Sequence, residues 1–221
     1  MTGGLTPAEP VEERLADRLS ARRGDAVPSW AVRVLRQLGH LDRAAYRAVA
    51  DFSTPGLDRP LRRVSKLANF SKPWFVMAGA LALFGGARGR RAAVTGVAAI
   101  GLTSLVVNQP MKLAGRRGRP DRTGMGVPEN RWVRMPTSTS FPSGHSASAA
   151  AFVVAVGDVL PQLKVPLRLA ATVVAFSRVY TGVHYPGDVV VGVAVGALLG
   201  RATSKAARWL RPTSFESARV A

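Results

Sequence analysis

The sequence predicts an all-α integral membrane bundle of about five transmembrane helices, with an N-terminal amphipathic helix on its surface. Three observations predict it. Residues 92–111 run twenty positions without a charge, about the length that crosses a bilayer's hydrocarbon core. Four more apolar runs, at about 73–87, 143–160, 163–180 and 188–203, are rich in Ala, Gly and Val. In the last of these, Gly192, Gly196 and Gly200 repeat every helical turn, a spacing that lets a second helix approach closely. The chain is strongly basic, with 31 Lys and Arg against 13 Asp and Glu. Such an excess suits nucleic acid or anionic lipid, and the apolar runs decide for lipid. The absence of cysteine excludes a disulfide framework and thiol chemistry.

Residues 1–28 are polar and punctuated by Pro and Gly, and read as a mobile N-terminus with a short charged helical stretch at 10–23. Acidic residues and the lack of an apolar core argue against a cleavable signal peptide there. Residues 29–72 read as an interfacial segment. Val32, Leu35, Leu38, Leu41, Ala45 and Val49 fall at three- and four-residue steps, interleaved with Arg33, Arg36, Arg43 and Arg47. That pattern is an amphipathic helix too charged to span, lying on the membrane surface or against the bundle. Pro55 and Gly56 end it, and a basic stretch at 59–72 leads into the first span. Arg88, Arg90 and Arg91 read as the turn into the second span, which delivers Lys112 at its end. The loop at 113–141 is dense in Arg, Gly and Pro, and such length without apolar period is functional or disordered. The third span opens at Ser143 and stops at Pro161. The fourth and fifth follow, and a basic tail at 204–221 finishes the chain. Trp74, Trp132 and Trp209 read as interface anchors.

Three pieces of this chain carry chemistry. Lys112 is followed by Arg119-Pro120 at a span's exit, which alone is an ordinary basic flank. Pro142-Ser143-Gly144-His145 opens the third span. Ser143 is a natural N-cap, Gly144 lets the backbone approach a ligand, and free first-turn amides favour an anion. Ser177-Arg178, His184 and Asp188 sit at the inner ends of apolar helices, where ionisable groups are costly and usually functional. The bland reading is an Arg178–Asp188 ion pair closing the turn. Counting spans puts all three pieces on one membrane face, and the 88–91 and 161–166 turns with the tail on the other. Arg116, Arg117, Arg122, Arg131 and Arg134 read either as a draw for an anionic headgroup or as a solvated loop. His40 reads as a solvated or packing residue.

In their order and joint spacing, K-x6-RP, PSGH and SR-x5-H-x3-D, these pieces resemble the signature of the type 2 phosphatidic acid phosphatase superfamily without a substitution. The resemblance covers about residues 70–203 and implies a membrane-embedded catalytic domain at 73–203. It implies that Lys112, Arg119 and Arg178 clamp the phosphoryl oxygens, helped by amides at Ser143 and Gly144. Fixed cations suit phosphoryl transfer, which is mostly positioning and charge stabilisation. It further implies His184 as nucleophile through a phosphohistidine, Asp188 as its orienting partner, and His145 as general acid and then base. No metal and no cofactor is expected. The expected substrate is a lipid phosphomonoester or pyrophosphate: phosphatidate, phosphatidylglycerophosphate or a polyprenyl (pyro)phosphate. Rival readings are a superfamily transferase with an acceptor other than water, and a non-catalytic protein binding anionic lipid. The partners are then the bilayer and a lipid phosphate, with no nucleic acid, and the oligomeric state is left open. A multi-pass cell-membrane protein follows, with the resemblance implying an active site on the extracytoplasmic face. The charge rule does not decide this, with ten Lys and Arg on the presumed inner side against eight in the catalytic loops.

Overall fold

The computed structural model describes residues 29–52 and 54–210. The expected mobile segment at 1–28 and most of the basic tail lie outside the described residues. Among these residues seven helices of more than ten residues follow in order: α1 Ser29–Asp51, α2 Pro55–Leu67, α3 Lys72–Phe84, α4 Gly86–Val106, α5 Gly144–Val159, α6 Lys164–Tyr180 and α7 Pro186–Trp209. Among the described residues there is no strand.

α5 is the central helix, walled by α4, α6 and α7. Its small side chains, Ala147, Ala149, Ala151 and Ala155, are buried, and Phe152 and Val156 fill the space toward α3 and α4. Trp74 lies 3% exposed in this core, its ring 5.4 Å from that of Phe152. The interface role expected of Trp74 is therefore wrong, because the large ring fills the gap that alanines leave. Trp209 is exposed at the end of α7, and Trp132 is half-buried with Nε1 donating to Val127 O at 3.0 Å.

The glycine repeat in α7 does what its spacing predicts. A Cβ on Gly192, Gly196 or Gly200 would run into the backbone of Ser143, Ala147 or Ala151, so the two helices meet with no side chain between them. The turn into α4 is made by Gly85 and Gly86, not by Arg88, Arg90 and Arg91, which already belong to the helix. Gly86 supplies the positive φ of 60° that the turn needs. α4 continues through a π-helical stretch, Val107–Met111, around Pro110, and ends in one further α turn, Lys112–Gly115. The missing proline N–H accounts for the change of winding.

Helices stand where the five spans were expected. By length and composition α4 with its extension and α7 can each cross a membrane, and α2 with α3, bent by 68°, make a third when counted as one broken span. α5 is apolar but has only 16 residues, a rise of about 24 Å. Large apolar side chains turned outward on α3, α4, α6 and α7, such as Leu83, Phe84, Leu105, Leu169 and Leu198, give the bundle a lipid-facing exterior.

The structure settles which face of α1 docks, a point the sequence left open. The face against the bundle is Asp42, Tyr46, Val49 and Ala50, while Leu38 and Leu41 are 48% and 65% exposed. At 3.6 residues per turn, the exposed apolar stripe of Trp30, Val34, Leu38 and Leu41 sits about a third of a turn from the docked face. The arginines occupy the remaining third. The stripe grouped from the sequence is therefore split: Val49 docks and Leu35 is half-buried, while Leu38 and Leu41 face outward.

Candidate active site

The exit of α4, the start of α5, the end of α6 and the start of α7 meet at one end of the bundle. The signature pieces converge there. Arg119 reaches across the loop to the α6–α7 turn: its Nη1 donates to Val183 O at 2.7 Å and lies 3.3 Å from His184 Nε2. A guanidinium can only donate, so Nε2 carries the lone pair and Nδ1 the proton. Nδ1 in turn faces Asp188 Oδ2 at 3.5 Å. Burial lowers the His184 pKa to about 4, with Arg119 and Arg178 adding to the shift and Asp188 opposing it. The ring is neutral at ordinary pH. Burial also lowers Arg119 to about 10, which leaves it charged.

Asp188 is fully buried and well supplied with donors. Oδ2 accepts from the Tyr185 amide at 2.9 Å and from the Ser140 hydroxyl, and Oδ1 accepts from Arg117 Nη1 at 2.7 Å. The first bond closes a capping box at the start of α7, with Tyr185 as N-cap. The turn before it needs Gly182, whose φ is 70° and where a Cβ would come within 2.8 Å of the Tyr46 hydroxyl. The Arg178–Asp188 pair considered from the sequence is not formed; Asp188 pairs with Arg117. Arg178 is buried and its Nη1 donates to the carbonyl and hydroxyl of Ser65 at 2.9 and 2.7 Å. Its Nε has no hydrogen-bond partner among the described residues.

Ser138 ties the other two cations together. It takes Lys112 Nζ on its hydroxyl at 3.1 Å and Arg119 Nε on its carbonyl at 2.8 Å. At the start of α5, the Ser143 hydroxyl accepts from the Ser146 amide at 3.4 Å, as an N-cap should. The Ser143 amide, expected to face an anion, is instead bonded to the Asp188 carbonyl at 2.9 Å, which leaves Gly144 and His145 to open the helix. His145 Nε2 donates to Asn69 Oδ1 at 3.0 Å, and its ring lies within electrostatic reach of Lys112, Arg119, Arg178 and His184.

Several of these partners escape sequence reasoning. Ser138 and Ser140 are unremarkable serines in a loop. Asp42, Ser65 and Asn69 lie in a segment that carries no motif. The loop arginines also divide unexpectedly. Arg117 and Arg122 are buried, and so is Arg131, which clamps Asp58 at 2.9 Å and the carbonyls that end α1. Arg117 and Arg131 hold the loop to α1 and α2, while Arg122 braces the loop on itself through Val133 O at 2.9 Å. Asn130 joins this clamp by donating to Asp58 Oδ2 at 2.6 Å. His40 is exposed beside Arg43, 3.2 Å away. Among the described residues no three His, Asp or Glu side chains gather as a metal cage.

The crystal structure of a PAP2-type phosphatidylglycerolphosphate phosphatase from Bacillus subtilis superposes with a TM-score of 0.62, covering 93% of this chain and 98% of that one; at 23% identity the likeness is one of fold. The structure of Aquifex aeolicus LpxE matches with a TM-score of 0.60 and 26% identity, over 75% of this chain and 95% of that one. Decaprenylphosphoryl-5-phosphoribose phosphatase of Mycobacterium tuberculosis is 36% identical over 148 residues, which are 66% of this chain and 78% of that protein. The PAP2 superfamily model matches residues 91–212, more than half of the chain, and the protein therefore belongs to the PAP2 superfamily.

Proposed function

We propose that this protein is a lipid phosphate phosphatase that works through a phosphohistidine on His184. The observation that carries the reading is the ring's orientation: Nδ1 faces a buried carboxylate and Nε2 faces the Arg119 guanidinium, so the one free lone pair points at a cation. A phosphoryl group drawn to Lys112, Arg119 and Arg178 meets that lone pair. The unpartnered Arg178 Nε is a further donor for its oxygens. Nε2 attacks phosphorus, the bond to the lipid oxygen breaks, and the His145 imidazolium gives its proton to the departing alkoxide, which leaves the neutral imidazole. The same imidazole then takes a proton from water, which attacks phosphorus, breaks the N–P bond and frees phosphate. Asp188 holds the Nδ1 proton throughout. The site lies where helices end, so a headgroup can enter while the lipid tail stays in the bilayer. Its face is the extracytoplasmic one.

The substrate is a phosphomonoester or pyrophosphate on a lipid, and the mycobacterial relative makes a polyprenyl-linked sugar phosphate the first to assay. The test is phosphate release by the purified full chain in detergent, on that substrate beside phosphatidate, phosphatidylglycerophosphate and undecaprenyl pyrophosphate. Turnover should persist in excess EDTA, be inhibited by vanadate and vanish in His184→Ala. Release from none of them, or release that stops on chelation and returns with magnesium, refutes the reading.

A further inference from the structure

We infer that Asp42, on the surface helix α1, is a positioning residue for the reaction: acting through Arg117, it holds the Asp188 carboxylate aimed at His184 and adds a negative charge behind it. The inference rests on the functional reading above. Arg117 is fully buried, and its two terminal nitrogens divide between carboxylates. Nη2 donates to Asp42 Oδ2 at 2.6 Å and Nη1 to Asp188 Oδ1 at 2.7 Å, while the guanidinium lies 3.9 Å over the ring of Tyr185. The second oxygen of Asp42 accepts from the Gly187 amide at 2.6 Å, one residue before Asp188. A Cβ on Gly187 would stand 3.1 Å from Asp42 Oδ2, a contact that glycine leaves open. Asp42 thus grips both the partner of Asp188 and its neighbour in the chain. One turn further along α1, Tyr46 docks on the same turn through Gly182 O at 3.3 Å and the Tyr185 ring.

The charge count explains why two carboxylates share one guanidinium. Arg117 and Asp188 alone would form a neutral pair, and Asp188 would hold the His184 proton weakly. With Asp42 the trio carries one net negative charge, which remains to stabilise the ring as it becomes cationic on phosphorylation. The other charges acting on His184 are Arg119 from the loop and Arg178 from α6, with the His145 ring of α5 within electrostatic reach and Lys112 acting on that ring. All the fixed ones are positive, so the negative charge has to come from the Asp188 side.

The experiment compares Asp42→Asn, Asp42→Glu and Tyr46→Phe in the full chain, reading kcat, KM, vanadate inhibition and the pH profile. Losing one buried negative charge lowers the basicity of the ring by about one unit. Asp42→Asn should therefore lose about tenfold in kcat, with KM and vanadate inhibition within twofold, since the phosphate-binding cations are untouched. Its acid limb should move to lower pH. Asp42→Glu, which keeps the charge, should hold the limb at its wild-type position, and Tyr46→Phe should keep wild-type kcat. Unchanged kcat in Asp42→Asn, loss of vanadate binding with it, or the same pH profile for Asn and Glu overturns the inference. A wild-type protein without turnover on any lipid phosphate sinks the functional reading and this inference with it, and that outcome shows before any substitution is made.

Discussion

Replacing Gly196 by alanine should damage the site without touching a polar group. The added methyl would lie 2.7 Å from the Ala147 carbonyl carbon and 2.8 Å from its Cα, and nearer still to the carbonyl oxygen. Carbon atoms prefer about 3.5–4.0 Å, so α5 and α7 must part by about 1 Å. Those neighbours are backbone, and no rotamer can give way. Overpacking of this kind costs about 1–3 kcal/mol, of which a helical Gly→Ala change returns about 0.5–1. The expected net loss of about 1 kcal/mol lowers Tm by about 2–4 °C. The catalytic effect should be larger. α5 opens with Ser143, Gly144 and His145, and the Ser143–Asp188 backbone bond crosses the same seam. A displacement of about 1 Å between His145 and His184 costs about 10²-fold in rate. Gly101→Ala is the control, since a Cβ there meets nothing within 4 Å; it should keep full activity and gain slightly in stability. Phosphate release and thermal unfolding in one detergent read both effects. If Gly196→Ala turns over within twofold of wild type, helix spacing does not set the geometry of the two histidines.

Three further predictions concern the chemistry and the membrane. His145→Ala should lose about 10²–10⁴-fold on a lipid phosphate but recover a burst on p-nitrophenyl phosphate, whose leaving group needs no proton, whereas His184→Ala should be dead on both; a burst retained only by His184→Ala reverses the roles. The nucleophile must be neutral, so activity should fall as pH drops through about 4, where His184 protonates. Its pKa lies below the ordinary 6.5, so the stability of the buried neutral ring should be full above that value and drain away between about 6.5 and 4; a rate profile that breaks near 6.5 refutes this. Finally, cysteines at Thr123 and Gln162, both exposed, should differ in intact cells: an impermeant thiol reagent should label the first and spare the second.

Helix positions were legible because their signals are local: uncharged runs, Pro161 as a stop, Ser143 as a cap, glycines at fourfold spacing. The signature pieces were equally local. The orientation of α1 was not, because periodicity groups the leucines on one side without saying whether that side meets protein or lipid, two apolar surroundings. Asp42 was invisible for a related reason. An acid among arginines on an amphipathic helix reads as a solvated pair, and its true partner, Arg117, lies 75 residues away in a loop that reads as basic surface. Trp74 misled through composition, since tryptophan belongs at an interface only where the core has no gap of its size.

The bend between α2 and α3 has a mechanical consequence. Ser65, just before it, holds Arg178, and Asn69, within it, holds His145. Two supports four residues apart, at one corner of the chain, therefore hold Arg178, the proposed phosphate-binding cation, and His145, the proposed proton donor. Phe70 and Ser71 turn that corner with φ of 57° each and no glycine to ease it, a strain of about 1–3 kcal/mol per residue. Straightening the corner would relieve the strain and withdraw both supports in one stroke. The proposed clamp and the proposed acid thus lean on one short stretch of backbone, like two fingers braced on a single knuckle.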